Sequence, residues 1–72
     1  MVKAKYKNLI KNRVMSGMTM RDLSDRSGVP IATISRAENG KSISVRTAHK
    51  LCNVFNLGFD DLFIIQDNIQ NQ

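Results

Sequence analysis

Seventy-two residues, 42% of them hydrophobic, make one small domain with no room for a second. Eleven Lys and Arg against six Asp and Glu give a net charge of +5, and the single Cys52 excludes an internal disulfide. No run approaches the roughly 18 apolar residues of a membrane span, and the N-terminus has no signal-peptide apolar core. A soluble, cytoplasmic protein without a membrane partner is expected. The charge is uneven: all eleven basic residues precede Leu51 with Asp22, Asp25 and Glu38, a balance of +8, whereas Asp60, Asp61 and Asp67 follow with no Lys or Arg. That asymmetry predicts one face for a polyanion, though charge alone does not separate DNA from RNA or acidic lipid.

In chain order, Tyr6, Leu9, Ile10, Arg13 and Val14 recur at three- and four-residue steps and predict a helix from about Lys5 to Met15. Gly17 ends it. Thr19 then stands as the N-cap of a second helix, with Asp22 three residues later at the capping-box position. Leu23 is the inward anchor of this helix, and Gly28 supplies the sharp turn after it. Val29 points inward. A third helix starts at Pro30 or Ile31, turns Ile34 and Ala37 to the core, and stops at Asn39-Gly40. Ser44 caps a fourth helix whose Val45, Ala48, Cys52 and Phe55 form its apolar stripe, and Asn56 ends it. A last helix is expected from Phe59 to about Ile65, with Asp60 and Asp61 in its first turn at the favourable end of the dipole. No strand pattern is visible. The expectation is an all-α fold of five helices over residues 1–72, closed by a frayed polar tail over 66–72.

Residues 19–40 carry the function. Two short helices joined by a tight glycine-bearing turn suit a helix-turn-helix unit, whose second helix can enter the major groove of DNA. Arg36 lies about 200° around the helix axis from inward-facing Ile34 and can bond guanine O6 and N7 together, or else touch phosphate or an acid. Ser35 and Thr33 can bond a base or a phosphate, Thr33 alternatively stabilising the first turn. Ala32 can meet a thymine methyl or simply favour the helix. Lys41 and Arg46 flank the loop after the third helix, where a backbone clamp belongs. Lys3, Lys5, Lys7 and Lys11 form either an arm along the backbone or a solvated helix face. Arg13, set in an apolar stripe, needs a carboxylate, and Glu38 is the available one.

No nucleophile–base pair or metal spacing accompanies His49, so neither an enzyme nor a metal, cofactor or small-molecule site is expected. Cys52 reads as core, His49 as a surface or boundary residue of the fourth helix, and Met15, Met18 and Met20 as packing atoms.

The chain resembles the phage repressor and Cro family of Xre-type helix-turn-helix regulators from about Leu9 to Phe63. The resemblance rests on Leu23-Ser24, Gly28-Val29 and Ile34-Ser35-Arg36-Ala37-Glu38-Asn39-Gly40-Lys41, followed by Leu51-Cys52 and Phe59-Asp60-Asp61-Leu62-Phe63. It implies a lambda-repressor-like bundle that binds a double-stranded DNA operator, usually as a symmetric homodimer, in a prokaryotic or phage setting at the nucleoid. It places Ile31, Ala32, Ser35 and Arg36 at base-facing positions, and Thr19, Met20, Asn39, Lys41 and Arg46 near phosphates. It also implies that Arg13 and Glu38 pair. Met20 and Ile31 depart from the Gln that many members carry, so adenine readout through Gln is absent.

The apolar end, Phe59, Leu62, Phe63, Ile64, Ile65 and Ile69, exceeds what one short helix can bury. Leu62 aside, these residues are candidates for a dimer patch, or else for a tail folded back on its own domain. A sequence-specific repressor is the resulting expectation. Its rival is a protein-binding adaptor of the same fold, antitoxin-like or an anti-repressor, with weak DNA contact.

Overall fold

The computed structural model describes residues 1–66. Its order is β1 (Val2–Ala4), α1 (Tyr6–Met15), α2 (Met20–Ser27), α3 (Ile31–Glu38), β2 (Ser42–Ile43), α4 (Val45–Phe55), α5 (Phe59–Leu62) and β3 (Phe63–Ile65). Short-range hydrogen bonds set the helix ends. Thr19 Oγ1 accepts the Asp22 N–H at 3.0 Å, and Asp22 Oδ2 accepts the Thr19 N–H at 2.9 Å, closing the capping box of α2. Gly28 ends α2 at φ +76°, a left-handed conformation that an L side chain resists. The Pro30 carbonyl accepts from Thr33 and Ile34 and opens α3, so Ile31 is its first helical residue. Ser44 Oγ accepts the Thr47 N–H at 3.1 Å to start α4, and Asn56, at φ +54°, stops it.

The core gathers one or more side chains from every element. Leu9 comes from α1, Leu23 from α2, Ile34 and Ala37 from α3, and Ala48, Leu51 and Cys52 from α4. Val29, in the turn, and Met18 join them, and Leu62, Phe63, Val2, Ala4 and Ile43 close the far side. The molecule is mainly helical, all-α in class, with one small sheet against the bundle.

That sheet was not expected. β1 is its centre, paired antiparallel with β2 and with β3 in the order β2-β1-β3. Val2 sits opposite Ile43 and Ile65, Lys3 opposite Ser42 and Ile64, and Ala4 opposite Phe63. Val2 and Ala4 point into the core while Lys3 faces outward, the alternation of a strand with one buried face. The last helix is accordingly a single turn. It ends at Leu62 because Phe63 turns extended (φ −136°, ψ 157°) and its chain joins β1 instead. The Lys5 N–H bonding the Leu62 carbonyl at 2.7 Å fixes that exit.

Several faces also differ from their periodicity. On α1 only Leu9 is buried, with Tyr6 and Val14 exposed, so the helix packs on α3, α5 and β1 through one narrow stripe. Val45 is exposed at the start of α4, and Met15 is exposed beyond the core that takes in Met18 and half-covers Met20. Gln66 is no frayed end: its N–H bonds the Met1 carbonyl at 3.2 Å and its side chain meets Ser42 Oγ at 2.7 Å. The rest of the predicted tail, with Ile69, lies outside the described residues.

Candidate nucleic-acid interface

One face of α3 is inside and the other is outside. Ile34, Ala37 and Glu38 are buried, Ile31, Ala32, Arg36 and Asn39 are exposed, and Thr33 and Ser35 lie half-buried between them. These buried residues hold the helix against α1 and α2, so the exposed ones stand on a rigid support. The turn before α3 is fixed by a small relay: Ser27 Oγ donates to the Leu23 carbonyl at 2.7 Å and accepts the Val29 N–H at 3.1 Å. Val29, thereby held, is buried in the turn between α2 and α3.

Arg13 and Glu38 meet inside. Arg13 Nε donates to Glu38 Oε2 at 2.6 Å and Nη2 to Oε1 at 3.1 Å, a two-pronged pair whose side chains are 14% and 4% exposed. The hydrogen bond to Glu38 raises the Arg13 pKa, against the opposing effect of burial. A third donor, Nη1, bonds the Met18 carbonyl at 2.9 Å. The pair therefore ties α1 to the end of α3 and also pins the loop that delivers Thr19 to the start of α2. Arg13 is spent internally and is not a free cation for a ligand.

Thr19, Asn39, Lys41 and Arg46 are exposed. Met20 is half-buried against the core, and much of its side chain is packing surface. Asn39 Nδ2 donates to the Ser35 carbonyl at 2.7 Å, which leaves its amide oxygen as the outward group. Arg36 Nη2 donates to the Ser42 carbonyl at 3.1 Å. Sequence reading missed that partner, since it exists only because β2 is extended. Tyr6 was missed likewise: its ring edge lies 3.9 Å from where a Cβ on Gly40 would stand, so it borders the loop after α3.

The electrostatics of this face are one-sided. Glu38, the only acid on α3, is buried and neutralised by Arg13, so the exposed side of α3 carries Arg36 and no carboxylate. Asp60 and Asp61 are exposed on α5, which packs on α1, α4 and β3, whereas α3 packs on α1, α2 and the sheet. Lys7 and Lys11 remain solvated on α1, while Lys5 Nζ donates to the Asp60 carbonyl at 2.6 Å.

The candidate dimer residues separate. Phe63 is wholly buried, so it belongs to the core and not to an outer patch; the extended backbone at 63 turns its ring inward. Ile64 and Ile65 are exposed, Ile65 to 74%. Phe59 is half-buried, stacked at 5.3 Å on His49 and at 5.6 Å on Phe63. His49, Phe59 and Ile65 line a shallow apolar groove of about 360 Å³ with Met1, Val2 and Val45. Among the described residues no three His, Cys, Asp or Glu gather as metal ligands, and no helix is long and apolar enough to cross a membrane.

A helix-turn-helix family model matches residues 9–62. A relative from Archaeoglobus fulgidus, an uncharacterized HTH-type transcriptional regulator by name, is 43% identical over 56 residues, covering 76% of this chain and 80% of its own. The crystal structure of the transcriptional regulator VanUg (Form II) superposes with a TM-score of 0.71 over 88% of this chain and 84% of that one. At 21% identity it speaks for the fold alone.

Proposed function

The chain belongs to the Cro/C1-type (Xre-like) helix-turn-helix family of DNA-binding transcriptional regulators, and from that premise we propose that it is a repressor. It binds a double-stranded operator sequence-specifically as a homodimer and excludes polymerase from the site. The observation that carries this reading is the outer face of α3: exposed, cationic through Arg36, free of carboxylates and rigidly backed. Arg36 reads a guanine, Ile31 and Ala32 meet thymine methyls, and Ser35 bonds a base edge. Thr19, Thr33, Asn39, Lys41 and Arg46 hold phosphates, and Met20 packs on sugar.

Neutralising about 4–6 phosphates gives a log–log salt slope of roughly −4 to −5 in a duplex titration. A flat response refutes DNA binding through charge. Selection of bound duplexes from a random library then yields the operator, and Arg36→Ala is expected to relax preference at one base position. An unchanged motif leaves Arg36 a positioning or structural residue.

The second copy is proposed to dock on the groove beside Ile65, with Phe59, Ile64 and Ile65 as contacts. A two-fold pair presents its α3 helices about 34 Å apart, one DNA turn. Sedimentation with and without duplex tests this; a monomer at every concentration, bound one per operator, removes the homodimer.

The adaptor reading is favoured by one observation, the apolar Ile31 standing 37% exposed on the outer face of α3. Chemical-shift mapping separates the two. Duplex DNA shifts α3, whereas a protein partner shifts the last helix with no DNA present.

A further inference from the structure

We infer that Ser42 is a positioning residue for base readout: strand β2 holds the guanidinium of Arg36 in its reading orientation, and Gln66 braces that strand from across the sheet. This rests on the reading of α3 as the helix that enters the groove. The geometry begins at the end of α3. The Gly40 N–H bonds the Ala37 carbonyl at 3.1 Å and the Lys41 N–H bonds the Arg36 carbonyl at 2.9 Å, so the chain doubles back along the helix it has just left. Gly40, at φ +77°, takes the left-handed turn that this reversal needs. Ser42 therefore arrives beside Arg36, and its main-chain carbonyl accepts from Arg36 Nη2 at 3.1 Å.

A guanidinium is planar, and one nitrogen tied to a fixed carbonyl restricts the plane of all five donors. The Ser42 bond takes one Nη2 hydrogen and leaves the others for a two-pronged grip on a base. The carbonyl is itself fixed because Ser42 is registered against Lys3 in the central strand. The brace lies on the outer side of the same sheet. Ser42 Oγ donates to Gln66 Oε1 at 2.7 Å, and Gln66 is anchored in turn by its N–H on the Met1 carbonyl at 3.2 Å. Gln66 follows β3, which pairs with the opposite edge of β1 from β2, so its side chain spans the sheet to reach Ser42. Neither Ser42 Oγ nor Gln66 is needed to form α3, yet both bear on where Arg36 points.

Immobilising a rotamer-rich side chain before binding is worth roughly two- to twelvefold in affinity. That gain falls on the Arg36 base position, because Thr19, Met20, Thr33 and Asn39 lie outside β2, and Lys41 and Arg46 keep their charge in both variants.

The test uses the full chain with Gln66→Ala and Ser42→Ala, which break the brace from either end and leave α3 intact. In the free protein, the Arg36 Nη protons are expected as resolved signals slowed in their rotation about Cζ–Nη, collapsing to an averaged signal in both variants. Each variant is expected to melt in one cooperative transition, a few degrees below wild type for the lost hydrogen bond, and on the selected duplex to keep the wild-type salt slope. Discrimination at the Arg36-dependent position falls by roughly two- to twelvefold. Freely averaging Arg36 protons in the wild type overturn the inference. So does wild-type discrimination in both variants while Arg36→Ala loses it, and that result leaves base reading by Arg36 standing. Selection of the same motif by Arg36→Ala and the wild type instead removes the base-reading role, and this inference with it.

Discussion

Glu38→Gln is the sharpest test of how this fold is held together. The Glu38 carboxylate is 4% exposed and accepts two bonds from Arg13, whose guanidinium is 14% exposed and keeps a third bond to the Met18 carbonyl. The amide is nearly the same size, so packing survives, but Arg13 is left charged and uncompensated. Removing one partner of a buried pair costs about 3–5 kcal/mol. The partial exposure of Arg13 lets water return to it and lowers the expectation to about 2–4 kcal/mol. A 72-residue domain has a total stability of about 4–11 kcal/mol, so the loss is a large fraction of it. At about 4–8 °C per kcal/mol, the melting temperature falls by about 8–30 °C. The hydrogen bond to Glu38 raises the arginine pKa, so its contribution is complete through the neutral range and fades only in strong alkali, as pH rises through the raised value; circular-dichroism melting at pH 7 therefore reads the whole effect. The apolar double variant Arg13→Met/Glu38→Leu is expected near wild type or above it, since no charge is left unpaired. A Glu38→Gln melt within about 4 °C of wild type refutes the reasoning. So does a double variant as unstable as the single one, because the loss is then one of shape and not of charge.

Thr19→Ala removes the hydroxyl that caps α2 and is expected to cost about 1 kcal/mol by urea unfolding; no change shows that the 3.0 Å bond to Asp22 contributes nothing. Asp22 is held below the ordinary value of 3.8, first by the Thr19 main-chain N–H and then by its side chain. Its contribution is therefore complete above that pH and lost as pH falls through the depressed value, and a carboxyl resonance titrating at or above 3.8 contradicts this. Burial, with Asp61 second, pushes the Cys52 thiol above 9.0, so a disulfide reagent is expected to modify it only as fast as the protein opens. Cys52→Ser places a hydroxyl there and is expected to cost about 1–3 kcal/mol, more than Cys52→Ala. Phe63→Ala is expected to cost about 3–5 kcal/mol in the monomer, whereas Ile65→Asp leaves the monomer's melt alone and weakens self-association in sedimentation. The opposite pattern returns Phe63 to the interface.

The legible parts of this molecule are those whose causes act over short distances. Thr19, Ser44, Gly28 and Asn56 mark helix ends because a cap works within about four residues. Leu23, Val29, Ile34 and Ala37 are in the core as their spacing requires. The Arg13–Glu38 contact spans 25 positions and is legible for a different reason, scarcity: Glu38 is the only carboxylate between Asp25 and Asp60. The sheet has neither advantage. Its strands are two or three residues long, and β1 finds its partners about 40 and 60 positions away, so Val2-Lys3-Ala4 is too short an alternation to weigh. An apolar run such as Phe63-Ile64-Ile65 after two N-terminal acids continues a helix as readily as it begins a strand. What decides between them is β1, whose edge would otherwise expose unpaired N–H and C=O groups. Strand pairing then fixes two positions that no local pattern decides. It turns Phe63 into the core, and it brings the Ser42 carbonyl to the one cation on the outer face of α3.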